Sequence, residues 1–499
     1  VSSKPYLLSW DAGSGSYRCL VVDAEGRQVA LSRAQAHAAP AQDVPGSMEF
    51  DPQRMWGTFV RLTRETLASV AARDLAALST TSFRDGVVFL DAQGHVLYAG
   101  TNRDARAVAQ GFQLAQAHGE RIYSLSGRWP VGTDAAAHLL WMKKFRPEAY
   151  QRIDRVLMVS DWLIYRLCGA FSSEPSNASS SLLFNVREKR WSTELAELLG
   201  LPVGIFPPLF PPGAVVGHLS DEAGEDLGLP NGTPVAVGLA DSQAASLACG
   251  AVSDGDTVAV AGTTMPLQMT LDEPLVDQAH RTWTGAHALQ GLWSLECSAG
   301  LAGMAYEWLW QAFGSGEPAA EGYATMSTEA ESQPPGSAMA FMGPWIADHS
   351  RLEFPSRVGF LAPFPMTLDA PLTRPRMARA VLENVAFALR GNLVQLEEIS
   401  GREVKALSLC GGLTNSRLFT QMVADVCQVP VKVPAVREAS GLGAAMCAAV
   451  GAGAYDSLKQ AAEGMAQGTE VLQPEPAMRV KYRSLYKRWL KTYQRLLGR

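Results

Sequence analysis

The sequence predicts an α/β protein folded as two domains of similar plan, and three observations carry that prediction. The chain has 499 residues, more than one hydrophobic core usually supports. Short apolar runs alternate with helical patterns along it. Two glycine-rich strand–turn–strand units, at residues 6–23 and 257–270, echo each other in layout although their residues are only weakly similar.

Taken in order, residues 6–10 are apolar, Asp11-Ala12-Gly13-Ser14-Gly15-Ser16 is a turn, and residues 18–23 return as a second strand. Ala24-Glu25-Gly26-Arg27 turns into a third strand over 28–32. A helix is predicted over 52–73, then a hairpin with arms 86–90 and 95–98. Helical patterns dominate 104–166, and an apolar strand at 234–239 runs into Asp241, where a small-residue helix starts. The second strand–turn–strand unit turns at Gly262-Thr263-Thr264. A strand at 406–409 meets Gly411-Gly412-Leu413-Thr414-Asn415, followed by a helix over 416–427, a strand over 431–433 and a helix over 439–454. The basic amphipathic segment 478–499 reads as a surface helix packed through Tyr482, Leu485, Trp489 and Leu496. A composition shift near 241–250 sets the expected domains at 1–245 and 246–499.

Composition excludes several classes of function. With 47% hydrophobic and 18% charged residues and a mean hydropathy near zero, the chain is globular and not disordered. A net charge of -6 provides no global basic field for nucleic acid or anionic membrane. The uncharged run 198–220 is long enough to span a membrane but carries Pro202, Pro207, Pro208, Pro211 and Pro212, so it reads as a loop. Residues 1–5 show no signal-peptide layout. Seven scattered cysteines without a Cys-x-x-Cys, and no His-Glu-x-x-His, argue for reduced thiols in a cytoplasmic protein and against disulfides or zinc. No glycine precedes a lysine, which removes a P-loop, and Arg18 stands where a dinucleotide fingerprint needs its third glycine.

Several short segments could carry chemistry, each with an ordinary alternative. In the turn from Asp11 to Arg18, glycines and serines let backbone N–H groups approach phosphate, a carboxylate can hold a divalent cation, and arginine can neutralise charge. A plain hairpin turn uses the same residues. Asp241, after an apolar strand, can take a proton from a substrate hydroxyl or simply cap a helix. Gly262-Thr263-Thr264 and Gly411-Gly412 permit close approach of a ligand or serve as turns. Arg84-Asp85 can read vicinal hydroxyls or form a surface ion pair.

Together, in this order and spacing, these segments resemble the FGGY carbohydrate kinases, and the resemblance covers essentially the whole chain. Its most specific part runs from Cys410-Gly411-Gly412 through Glu438 and Ala445. It implies the actin-like, ribonuclease-H-type fold in two domains with ATP and magnesium in the cleft between them. It also implies roles: Asp241 as catalytic base and Asp11 as the carboxylate near magnesium. Gly13, Ser14, Gly15, Ser16 and Arg18, with Gly262, Thr263, Thr264 and Gly303, would face the phosphates, and Gly411, Gly412, Leu413 and Asn415 the adenosine. Arg84 and Asp85 would grip the sugar, with Asn102 and Asp104 as neighbours.

Xylulose kinases carry Met-His-Gly where this chain has Arg84-Asp85-Gly86. The stretches Val44-Pro45-Gly46-Ser47-Met48-Glu49-Phe50-Asp51, Ser160-Asp161-Trp162-Leu163 and Pro175-Ser176-Asn177-Ala178 are similar to autoinducer-2 kinases. The expected substrate is a ketopentose such as xylulose or ribulose by a small margin, with open-chain autoinducer-2 second. Two other classes compete: a non-catalytic actin-like nucleotide sensor, which needs no base, and a glycoside hydrolase using Asp85 and Asp241, which leaves the glycine turns unexplained. Expected partners are a small sugar and ATP, with no nucleic acid and no membrane. A monomer and a homodimer are both compatible with the residues.

Overall fold

The computed structural model describes residues 5–497 apart from 43, 315, 317, 349–358, 364–371 and 467. The first sheet has six strands in the order Val215–His218, Pro234–Ala240, Leu75–Ser82, Tyr6–Ala12, Ser16–Asp23, Gln28–Gln35. Tyr6–Ala12 is antiparallel to Ser16–Asp23 and parallel to Leu75–Ser82, which is in turn parallel to Pro234–Ala240. The second sheet repeats this pattern. Thr257–Val260 is antiparallel to Pro266–Leu271 and parallel to Leu407–Cys410, which is parallel to Val431–Val433. Trp293–Ser298 and Glu470–Leu472 complete the repeat on either side, and Trp283–Ala286 adds a seventh strand. The architectural echo read from the two hairpins is therefore a repeat of whole sheets, the actin-like arrangement.

Each sheet buries one face in its own core. The first covers a cluster around Trp10, Phe59 and Trp162; the second covers one built on the 27-residue helix Arg374–Ser400 and on Trp489 of the terminal helix. A third cluster joins the halves. Helices Asp241–Ala248 and Ala439–Gly451 meet so closely that a Cβ on Gly443 would lie 2.0 Å from the Ala244 carbonyl oxygen. The Ser9 hydroxyl donates to the Gly441 carbonyl at 2.7 Å, so a helix late in the sequence sits on the first sheet. The alanine-rich composition of both helices is what that contact requires.

Several expectations are corrected. The central strand Leu75–Ser82 was not anticipated: its Leu-Ala-Ala-Leu-Ser-Thr-Thr-Ser sequence has no alternation, because both faces are buried. Arg155–Met158 interrupts the expected helical stretch 104–166, and the helix expected over 52–73 ends at Thr66. The terminal helix spans Pro476–Leu496, and its expected last residues, 498 and 499, lie outside the described residues. Leu496 is half exposed, and Tyr493 takes its place on the packed face. Among the described residues, no helix is long and apolar enough to cross a membrane.

Candidate active site

The turn after Tyr6–Ala12 is held by Gly13 N–H donating to the Ser16 carbonyl at 3.1 Å. A Cβ on Gly13 would lie 2.9 Å from that oxygen, which explains the glycine. Register places Asp11 opposite Arg18, whose Nη1 donates to Asp11 Oδ2 at 2.8 Å. Arg18 also lies 2.8 Å from Glu438, which pairs with Arg33 at 2.9 Å. Burial pushes the Asp11 carboxyl above its ordinary value while Arg18 pulls it back. Asp11 Oδ1 is buried and has no hydrogen-bond partner.

The second hairpin faces the first. Gly262 N–H donates to the Thr264 carbonyl at 3.0 Å, and Gly303 N–H donates to the Gly262 carbonyl at 3.0 Å. Gly303 thus stands behind the hairpin at the start of helix Ala302–Phe313, and any Cβ there would be 2.4 Å from Gly262 O. Gly411 has φ +97° and its Cβ would be 2.6 Å from Ala261 O, so only glycine fits. Leu413 N–H donates to Ala261 O at 3.1 Å, which makes Leu413 part of the support for this turn.

Two ion pairs build the other end of the cleft. Arg84 makes a bidentate pair with Glu296, at 2.7 and 2.8 Å, reaching from the first half to the second. Glu296 also accepts Gln268 Nε2 at 2.7 Å, and Gln268 Oε1 accepts Gln243 Nε2 at 3.2 Å. Asp85, at φ +65°, pairs with Arg128 at 3.2 Å, and the Arg128 guanidinium lies 4.1 Å from the Trp283 ring centre. Asp241 sits between this end and the hairpins, and burial pushes its carboxyl up to about 7 against the pull of Arg84. A carboxyl near neutral pH in a cleft is suited to proton transfer.

One cleft of about 730 Å³ collects these groups. Asp11, Gly13, Ser14, Gly15, Ser16, Arg18, Arg84, Asp85, Asn102, Asp241, Gly262, Thr263, Thr264, Gly411, Gly412 and Asn415 all line it. Three candidates do not. Gly303 and Leu413 lie behind the turns they brace. Asp104 is fully buried, bonded to Arg106 at 2.9 Å and Tyr98 at 3.1 Å, so it is a structural carboxylate with no access to a sugar. Sequence reasoning missed Glu296, Gln268, Gln243, Arg128, Arg33 and Glu438. The available signal was a carboxylate inside an otherwise apolar strand, at Glu296 in Trp293–Ser298.

A magnesium ion carried in with a nucleotide takes one or two carboxylates, phosphate oxygens and water. The unpartnered Asp11 Oδ1, with Asp241 lining the same cleft, fits that demand. Among the described residues, no group of three potential ligands forms a standing metal site.

The family models for the FGGY carbohydrate kinases match residues 6–248 with their N-terminal domain and 257–452 with their C-terminal domain. The chain belongs to the FGGY family of carbohydrate kinases. An autoinducer-2 kinase of Salmonella paratyphi B is 32% identical, over 98% of this chain and 94% of that one. One of Escherichia coli is 31% identical over 99% and 95%. Among solved structures, a xylulose kinase from Rhodospirillum rubrum superposes with a TM-score of 0.83 at 24% identity, covering 99% of both chains. A Plasmodium falciparum glycerol kinase with ADP gives 0.84 at 21% identity over 98% of both, and these two likenesses show the fold. This FGGY kinase is a phosphotransferase that uses ATP with magnesium and acts on a sugar.

Proposed function

We propose that this FGGY kinase phosphorylates a hydroxyl of a short open-chain polyhydroxylated carbonyl compound, with autoinducer-2 first. The observation that carries the choice is the identity of 31–32% with autoinducer-2 kinases over nearly the whole chain. This reverses the order expected from sequence, where a ketopentose led. D-xylulose or ribulose is the second reading, favoured by the likeness to xylulose kinase structures alone.

Asp241 acts as general base. Its carboxylate takes the proton of the attacking hydroxyl while the new O–P bond forms and the bond to ADP breaks. Magnesium, when bound, would supply neutralisation of phosphate charge. Arg84 and Asp85 bind hydroxyls, their geometry set by Glu296 and Arg128. Asn102, whose buried Oδ1 has no partner, accepts a further hydroxyl. The turns at Gly13–Ser16 and Gly262–Thr264 hold phosphates with backbone N–H groups and hydroxyls, while Gly411, Gly412 and Asn415 form the adenosine side. Asp11, through its unpartnered Oδ1, is the carboxylate that would hold the metal. Seven unpaired cysteines support a cytoplasmic setting.

An ADP-release assay with autoinducer-2, D-xylulose, ribulose and glycerol tests the substrate. The expected result is a kcat/KM for autoinducer-2 at least ~10-fold above the others, because a site that reads hydroxyls rejects ligands that leave its groups unpaired. A pentulose in the lead establishes the second reading, and no turnover with any of the four defeats both.

A further inference from the structure

Behind Asp241 lies a buried polar web built on Glu174 and on Pro175-Ser176-Asn177, the latter from the stretch Pro175–Ala178 singled out in the sequence. Glu174 caps the short helix Pro175–Ala178: its Oε2 accepts Ser176 N–H at 2.7 Å and its Oε1 accepts Asn177 N–H at 2.6 Å. The same Oε1 accepts the Ser176 hydroxyl at 2.5 Å. Glu174 is 1% exposed and has no ion-pair partner among the described residues. A buried carboxyl without a cation is costly, and these three hydrogen bonds are what hold it in place.

The web grips the backbone that leads into the base. Strand Pro234–Ala240 breaks register with Leu75–Ser82 between Ala236 and Leu239. Gly238 approaches its neighbour so closely that a Cβ would lie 1.7 Å from Thr80 O. Past the break, Ala240 N–H donates to Ser176 Oγ at 3.1 Å, and the next residue is Asp241. Asn177 Nδ2 donates to Ser160 Oγ at 2.8 Å, and Ser160 N–H donates to Ser82 Oγ at 3.0 Å. The segment therefore ties together the strand end that carries Asp241 and the one that leads to Arg84.

We propose that Ser176, oriented by Glu174, is a positioning residue for Asp241: its hydroxyl holds Ala240 N–H and fixes where the carboxylate points relative to Arg84. A hydroxyl has one proton and two lone pairs. With the proton committed to Glu174, a lone pair is left facing Ala240. Without that commitment the hydroxyl can rotate, and the Leu239–Ala240 peptide loses the hold on its N–H side, while Thr81 Oγ1 still donates to its Leu239 carbonyl at 2.7 Å. The proposal rests on the reading of Asp241 as general base.

The test is a double-variant cycle of Ser176→Ala and Asp241→Asn, read by kcat, both KM values and thermal melting. Small misplacements of a reacting group cost up to ~100-fold. Ser176→Ala is expected to lower kcat by ~10-fold or more while both KM values stay within ~3-fold. In the Asp241→Asn background the same change is expected to alter residual turnover by less than ~2-fold, since there is no base left to position. Glu174→Gln, which keeps an oxygen for the hydroxyl, is expected to lose less than Ser176→Ala. It takes the place of Ser176→Ala in the cycle should that variant fail to fold. Turnover of Ser176→Ala within ~2-fold of wild type, or losses that multiply in the double variant, overturns the positioning role while the base stands. Full activity of Asp241→Asn overturns the base itself and the positioning role with it.

Discussion

At the end of strand Tyr6–Ala12 the first half carries Asp11, where the end of Thr257–Val260 in the second half runs into Ala261 and Gly262. The contrast repeats at the other two parallel strands. Leu75–Ser82 leads to Arg84 and Asp85, whereas Leu407–Cys410 leads to Gly411 and Gly412. Pro234–Ala240 leads to Asp241, whereas Val431–Val433 leads to Pro434. One topology thus serves two needs. On the proposed assignment, charges that act on a substrate need rigid strand ends that fix their direction, and a nucleotide needs backbone without side chains that it can approach closely. The second half's contribution to the Arg84 end comes from its antiparallel arm, where Gln268 and Glu296 stand opposite in register, Gln268 donates to Glu296, and Glu296 accepts from Arg84.

The largest effect should come from the first half. Asp241→Asn is expected to cut turnover by at least ~100-fold while ATP still binds in calorimetry. With the carboxyl at about 7, wild-type kcat/KM should fall as pH drops through that value, because only the deprotonated form accepts a proton, and this limb should vanish in the variant. A helix cap with no chemical role would leave turnover near normal.

Gly411→Ala probes the second half. At φ +97° and 2.6 Å from Ala261 O, an added methyl strains the backbone and pushes the turn, a cost of ~1–3 kcal/mol. The expected reading is KM for ATP up by ~10-fold with a smaller change in KM for sugar. Equal rises in both would mean that the halves do not divide the substrates as their strand ends indicate.

Glu296→Gln crosses the comparison, since the residue belongs to the second half and pairs with Arg84 of the first. It leaves Arg84 with one neutral partner, so KM for sugar is expected to rise ~5- to 10-fold while KM for ATP holds. A rise in KM for ATP alone would assign Glu296 to the nucleotide side.

The legibility of this division was uneven for physical reasons. The turns were legible through their order and spacing along the chain, since each glycine- and serine-rich turn alone is also an ordinary hairpin, and Asp11, Arg84 and Asp241 were found through the same pattern. Leu75–Ser82 was invisible because a strand buried on both faces carries no alternation. Glu296 and Arg128 were missed because their importance lies in pairs 212 and 43 residues apart in sequence, which only the folded sheets bring together. Asp104 was misread because a short Asn-Arg-Asp segment gives no hint that its carboxylate turns inward to Arg106.

The smallest expected effect separates stability from activity at one residue. The Asp241 carboxyl is raised from 3.8 to about 7, chiefly by burial, with Arg84 opposing and Asp11 adding to the rise. A carboxyl held higher in the folded than in the unfolded chain binds its proton more tightly when folded. Folding therefore loses stability as pH climbs from about 4 to about 7, and the loss is complete above that. Asp241→Asn removes the group and the loss with it, so at pH 8 the variant is expected to melt ~2–5 °C above wild type, the difference shrinking toward pH 4. Melting curves across that range check it. A variant that melts lower at every pH would show that Arg84 stabilises the carboxylate by more than burial costs it. The first half's strand ends would then hold their charges without penalty, and the sharpest energetic contrast with the glycine turns of the second half would disappear.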